Sequence, residues 1–176
     1  RTGNINGEEW GRLATAAAVL SNCELYFDDT SEMTVPEMKS RIRRLRDVDA
    51  VFVDYLQLMK SGTRTEGRVQ EVSEITRNLK LMAKDLNIPV VVLAQLARRT
   101  EASGKSHRPQ LSDLRESGSI EQDADIVIML YRDEYYAENT ADSSPQEDKP
   151  AVNEAEFIIS KNRHGPTNTV KVAWNG

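Results

Sequence analysis

Apolar residues recur every three or four positions at Trp10, Leu13, Ala17 and Leu20, and this spacing predicts an amphipathic helix from Glu8 to Ser21. A short strand over Glu24 to Phe27 follows and ends in the turn Asp28-Asp29-Thr30-Ser31. Thr34 as an N-cap, with Pro36 in the first turn, predicts a second helix running to Arg46. The apolar run from Val51 to Met59 reads as a buried strand that delivers one carboxylate, Asp54. Beyond the polar segment Lys60 to Gly67, the residues Val69, Val72, Ile75, Leu79, Met82 and Leu86 share one helical face. Asn87 and Pro89 close that helix before a strand from Val90 to Gln95.

Strand, helix, strand in this order is the parallel α/β unit. Unbroken apolar strands are expected where helices cover both faces of a sheet. A further buried strand is predicted over Ile126 to Tyr131, after the polar stretch Arg98 to Gln110. The acidic segment Asp133 to Lys149 reads as an exposed, mobile loop. Strands over Ala155 to Ser160 and Thr169 to Trp174 flank Asn162 to Thr167, where Gly165-Pro166 marks a turn, so the chain should close with a hairpin bearing charge at its tip. The pattern predicts an α/β fold with a mostly parallel sheet, helices on both faces and a C-terminal antiparallel hairpin. No internal repeat is visible.

Composition narrows this picture. With 176 residues and 39% hydrophobic content the chain can bury one core, and one domain spanning 1–176 is expected. Its single cysteine, Cys23, excludes a disulfide framework. No stretch has the length of a membrane span or a signal-peptide core, so no membrane is expected and the cytoplasm is the expected location. A net charge of −5 argues against wrapping nucleic acid by overall charge, so any DNA contact must be local. The basic run Arg41, Arg43, Arg44 and Arg46 fits the solvated face of a helix. The chain opens at Arg1 without a methionine, in the polar segment Thr2 to Gly7, and is expected to be a piece of something longer.

Two readings of Asp54 compete. A carboxylate at the end of a buried strand is a hard oxygen ligand suited to magnesium beside phosphates, and it is equally a cap for the next turn. Gln95 is expected at the carboxyl end of the neighbouring parallel strand, where open α/β sheets bind ligands. An amide there orients water or contacts a γ-phosphate, or else it is a satisfied buried amide. Nucleotide hydrolysis also requires a phosphate loop. Gly104-Lys105-Ser106 is a decoy, since the pattern needs a glycine where Arg99 stands. The loop therefore lies upstream, or the chain does not hydrolyse nucleotides.

The hairpin carries Lys161, Arg163 and His164. Strand alternation puts Lys161 and Arg163 on one side, as a pair able to neutralise charge on a transferred phosphoryl group or as a solvated tip, while His164 reads as a turn residue. Arg115-Glu116-Ser117-Gly118-Ser119 reads as a loop before a helix starting at Ser117 or Ser119, with Glu121 and Gln122 placed for a capping box. Amides at such a start seat a DNA phosphate or simply begin a well-capped helix, and the two are compatible.

The segments Asp54-Tyr55-Leu56-Gln57-Leu58-Met59, Leu93-Ala94-Gln95-Leu96-Ala97-Arg98, Ser112 through Asp125, Tyr131-Arg132-Asp133-Glu134 and Lys161-Asn162-Arg163-His164-Gly165-Pro166 together resemble the DnaB-type replicative DNA helicases of bacteria and their phages. The likeness covers nearly the whole chain, and the uninterrupted stretch from Ser112 to Asp125 is its most specific part. It implies a RecA-like P-loop NTPase core, a partial motor domain in a homohexameric ring that uses ATP and Mg2+ to translocate on single-stranded DNA and part the duplex at the replication fork. Primase and a helicase loader are the partners it implies. By position, the resemblance makes Asp54 the acidic residue of the strand that helps hold magnesium and Gln95 the γ-phosphate sensor. Arg115, Glu116 and Gly118 fall on the channel loop that holds the DNA backbone. Lys161 and Arg163 would act in trans, with Arg163 as the arginine finger in a neighbouring subunit's ATP site. The family's phosphate loop and its water-activating acid are not among these residues, so the 176 residues alone are expected to be inactive, and an exposed sheet edge is expected to limit their solubility. Two other readings remain: a RecA-like recombination or repair ATPase, and a degenerate DNA-binding or ring-interaction module without ATPase activity.

Overall fold

The computed structural model describes residues 5–96, 108–132 and 154–175. It falls into two compact units, Arg1–Thr30 and Ser31–Gly176. In the first unit, helix α1 spans Gly7–Ser21. Asn6 begins it with a capping box: its Oδ1 accepts the Glu9 N–H at 2.9 Å, and the Glu9 carboxylate accepts the Asn6 N–H at 2.8 Å. The predicted amphipathic stripe is present, but Trp10, Leu13 and Leu20 are all exposed. The strand expected over Glu24 to Phe27 is not formed. A strand is stabilised by the ladder of a neighbour, and no paired strand lies beside this segment among the described residues.

The second unit begins with α2 (Val35–Ile42). Thr34 caps it, its hydroxyl accepting the Glu37 N–H at 3.4 Å while the Glu37 carboxylate accepts the Thr34 N–H at 3.0 Å. The helix stops four residues short of the expected Arg46. Strand β1 (Val51–Val53) pairs in parallel with β2 (Val90–Val92), and α3 (Arg68–Leu86) connects them. Asn87 ends α3 in the left-handed region at φ 55°, which a short amide side chain tolerates.

Both strands are shorter than their apolar runs. Leu56 and Met59 are buried together, a spacing of three that an alternating strand cannot deliver to one side, and the chain accordingly turns through a 3-10 helix at Leu56–Leu58. Val53, Leu56, Met59, Val72, Ile75, Leu79 and Met82 pack with Val35 into the main core. Burying each of these large side chains stabilises the fold by about 1.5–3 kcal/mol.

A second 3-10 helix, Leu111–Ser117, runs into α4 (Gly118–Asp123). Strands β3 (Ile126–Tyr131), β4 (Glu154–Asn162) and β5 (Asn168–Ala173) form an antiparallel sheet in that order. The C-terminal hairpin β4–β5 is as the sequence predicts. β3 departs from the expectation of a strand buried on both faces. It alternates, with Val127 and Met129 buried against Leu114 while Ile126, Ile128 and Leu130 are exposed. The parallel pair is likewise covered on the side of α2 and α3, and Phe52, on the opposite face, is 72% exposed.

Candidate functional site

Parallel pairing of β1 and β2 fixes one end of the site. Val53 lies opposite Val92, so Asp54 and the segment Leu93 to Gln95 leave the sheet at the same, carboxyl end. The pairing continues past the strands, because Leu93 N–H donates to the Val53 carbonyl at 2.9 Å and Leu56 N–H to the Leu93 carbonyl at 2.8 Å. Asp54 and Gln95 are both exposed there. The reading of Gln95 as a satisfied buried amide is thereby set aside. The sequence foresaw this adjacency, but it missed Gln57, whose side-chain amide bonds the Gln95 backbone twice, donating to its carbonyl at 3.0 Å and accepting its N–H at 3.2 Å. The signal was a lone amide inside an apolar run. Gln57 is itself held where Arg68 Nη2 donates to its carbonyl at 2.9 Å, and Arg68 pairs with Glu71 at 2.7 Å. That guanidinium holds the Glu71 carboxyl below its usual range.

The donor set suits a hydrated divalent cation in one respect. Asp54 is an exposed carboxylate in a wet position, and magnesium keeps several waters and takes only one or two protein carboxylates. Among the described residues no group of three or more His, Cys, Asp or Glu side chains gathers into a cage that would hold a metal by itself.

The segment expected to be a loop ahead of a helix is a 3-10 helix, Leu111–Ser117, kinked at Leu114, where φ −77° and ψ 17° are not helical, and it runs into α4 at Gly118. A capping box opens this 3-10 helix at Gln110 and Asp113, where the Asp113 carboxylate accepts the Gln110 N–H at 2.7 Å. α4 itself begins at Gly118, between the two starts expected at Ser117 and Ser119. The backbone of Arg115 and Glu116 lies in the 3-10 helix, and their side chains are outside the described residues. Gly118 is exposed and helical at φ −50° and ψ −22°, and a Cβ there would meet nothing within 4 Å. Neither backbone geometry nor packing within the described chain requires glycine at this position.

Lys161 and Arg163 do reach one target, as alternation predicts, but the target belongs to the same chain. The Lys161 ammonium donates to the carbonyls of Glu121 and Gln122, and Arg163 Nη2 donates to the Gln122 carbonyl at 2.8 Å. These are the last carbonyls of α4, which lack partners within the helix and carry its negative dipole end. His164 is a turn residue whose N–H donates to Asn162 Oδ1 at 3.3 Å. A Cβ on Gly165 beside it would stand 2.7 Å from Asn162 Nδ2, so a larger residue there would displace that side-chain amide.

The exposed basic run behaves as a solvated face, with Arg43 pairing to Asp85 at 2.6 Å. Gly104-Lys105-Ser106 and the acidic segment Asp133 to Lys149 lie outside the described residues. No helix among the described residues is long and apolar enough to cross a membrane.

The family model described as the DnaB-like helicase C terminal domain matches residues 1–176. A replicative DNA helicase DnaB of Leifsonia xyli subsp. xyli is 45% identical over 179 residues, and a replicative DNA helicase DnaC of Bacillus subtilis is 47% identical over 178. These alignments take in 100% and 99% of this chain, which spans 37% of the length of either relative. Among solved structures, a DnaB-like replicative helicase studied with its interactions with primase superposes on 97% of the chain with a TM-score of 0.84 and 37% identity, covering 40% of that protein. A second solved structure, described as an ATPase domain, gives the same TM-score and identity, with 58% of it covered.

Proposed function

The chain belongs to the family of DnaB-like helicase C-terminal domains, and on that premise we propose that it forms part of the ATP-driven motor of a replicative helicase that translocates on single-stranded DNA. The observation that carries this reading is the parallel β1–β2 pairing, which brings the exposed Asp54 and Gln95 to one sheet end with Gln57 locking the second strand to the first. Such an end is where open α/β sheets bind ligands. Asp54 would supply a carboxylate to Mg2+, and the bound ion would neutralise charge on the nucleotide phosphates. Gln95 would contact the γ-phosphate. Lys161 and Arg163 would leave the α4 carbonyls to meet the nucleotide of a neighbouring subunit in a homohexameric ring. Gly118, whose missing side chain answers no need within the described fold, would admit the DNA backbone beside Arg115 and Glu116. Primase and a loader are proposed as partners on the family's account, and the cytoplasm as the compartment. The recombination reading is dropped, since both curated relatives named above are replicative helicases, as is the structure studied with primase.

Asp54→Asn in the full-length protein tests the assignment, because it keeps shape and removes charge. Mg2+-dependent ATP hydrolysis should fall by at least about a hundredfold with the ring intact. Hydrolysis at the unsubstituted rate would refute it.

A further inference from the structure

Arg163 has a further partner that none of the roles above uses. Asp125 lies between α4 and β3. Its carbonyl accepts the Arg163 N–H at 2.8 Å, and its Oδ1 faces Arg163 Nε at 3.7 Å. Its other oxygen, Oδ2, takes the ammonium of Lys80 from α3. Two positions earlier Asp123 is tied to the same helix, its carboxylate accepting from the Thr76 hydroxyl at 2.8 Å. The exit of α4 is therefore pinned to α3 on one side and carries the tip of the hairpin on the other. Ile120 of α4 packs against both core clusters, so this short helix is held along its length.

We propose that Asp125, held by Lys80, is a positioning residue for Arg163: it fixes the base of the arginine's stem on the end of α4 and so sets where the guanidinium reaches. The inference rests on the trans role proposed for Arg163. Its physical content is a division between bonds that must break and bonds that need not. For Arg163 to meet a phosphate, Nη2 must leave the Gln122 carbonyl, and Lys161 must leave the same helix end. The main-chain bond from Arg163 to Asp125 and the pair between Asp125 and Lys80 survive that exchange. At 3.7 Å the Asp125 carboxylate is beyond hydrogen-bond range of Nε, so it orients the guanidinium by charge without occupying the donors a phosphate would use. Asp125 lies just past α4, the helix that begins at Gly118, so a displacement of residues 115–118 is handed to Arg163 through α4 rather than through the solvent.

The test is steady-state ATPase of the full-length hexamer carrying Asp125→Asn or Lys80→Gln, with single-stranded DNA present and absent, beside Arg163→Ala. Ring assembly is checked by light scattering. A misplaced reacting group costs kcat more than binding, so both positioning variants should assemble and lose about tenfold in DNA-stimulated kcat, with the KM for ATP within about twofold. Because they disturb one device, the double variant should be no worse than the stronger single one. Assembled rings with unchanged kcat overturn the proposal, as does loss of the ring in both variants, which would make the pair purely structural. If Arg163→Ala itself keeps full turnover, the trans reading fails first; if it abolishes turnover while Asp125→Asn does not alter it, only this inference fails.

Discussion

The side chain of Gln57 acts as an extra rung between the two parallel strands, bonding both the carbonyl and the N–H of Gln95 at 3.0 and 3.2 Å. Regular pairing ends at Val53 and Val92, yet the segment carrying Gln95 must keep a fixed distance from Asp54 if both are to face one ligand. A side-chain amide offers a donor and an acceptor at the spacing of a peptide group, so it extends the ladder where the main chain has turned away.

Gln57→Ala removes both bonds. At about 1 kcal/mol net for each, the second unit should lose about 2 kcal/mol of stability. In the full-length protein kcat for ATP should fall by about tenfold, because Gln95 would no longer be held beside Asp54. Chemical denaturation and steady-state kinetics measure the two effects, and unchanged kcat alongside lowered stability would confine Gln57 to a structural role.

Gly118 separates fold from function. Its backbone is helical and the space beyond it is open, so Gly118→Ala should raise stability by about 0.5–1 kcal/mol through the lower chain entropy of the unfolded state. The same methyl would obstruct a DNA backbone passing close by. Weaker single-stranded DNA binding in fluorescence anisotropy, together with a raised melting temperature, is the expected pair of results. Undiminished binding would show that DNA does not approach this position.

Acid should destabilise the fold through identifiable carboxylates. Asp85 is held below its usual range first by Lys39, Glu74 by the hydroxyls of Thr63 and Ser61, and Asp125 by Lys80. A depressed folded-state pKa means the unfolded chain binds more protons. The stability these groups contribute is thus complete above the ordinary carboxyl value of about 4 and is lost as pH falls through the depressed values. The melting temperature followed by circular dichroism should be nearly level from pH 8 to 6, as far as these groups govern it, and drop below about pH 4. Glu74→Gln should make that drop shallower.

The 176 residues by themselves should not turn over ATP at a meaningful rate, since no phosphate loop is among them and Lys161 and Arg163 are proposed to act on a neighbour's nucleotide. A phosphate-release assay with and without single-stranded DNA checks this, and DNA-stimulated hydrolysis by the isolated chain would contradict it.

Much of this was legible in the sequence because periodicity and turn chemistry are local. The α3 face from Val72 to Leu86, the Thr34 cap and the Gly165-Pro166 hairpin all follow from residues near one another in the chain, whereas Val69, expected on the same face, is exposed. The adjacency of Asp54 and Gln95 was legible too, because a strand, helix, strand unit brings successive parallel strands side by side. What escaped depends on partners far apart in sequence. Gln57 meets Gln95, Lys80 meets Asp125, and the hairpin cations meet α4, and none of these pairs leaves a spacing to read. The strand expected at Glu24 to Phe27 shows the converse, since an extended segment becomes a strand only when a neighbour supplies the ladder. Half-exposed β3 makes the same point for burial: an unbroken apolar run states what a strand can cover and not what lies over it.

The central claim is an ATP site completed by the hairpin of a neighbouring subunit, and Arg163→Ala in the full-length hexamer tests it most directly, with nucleotide affinity and turnover measured on the same rings. The account predicts turnover reduced by about a thousandfold, in the range of a lost arginine finger, with ATP bound as before. Turnover preserved in an assembled ring would contradict it and leave Arg163 as a cation that merely caps the end of α4.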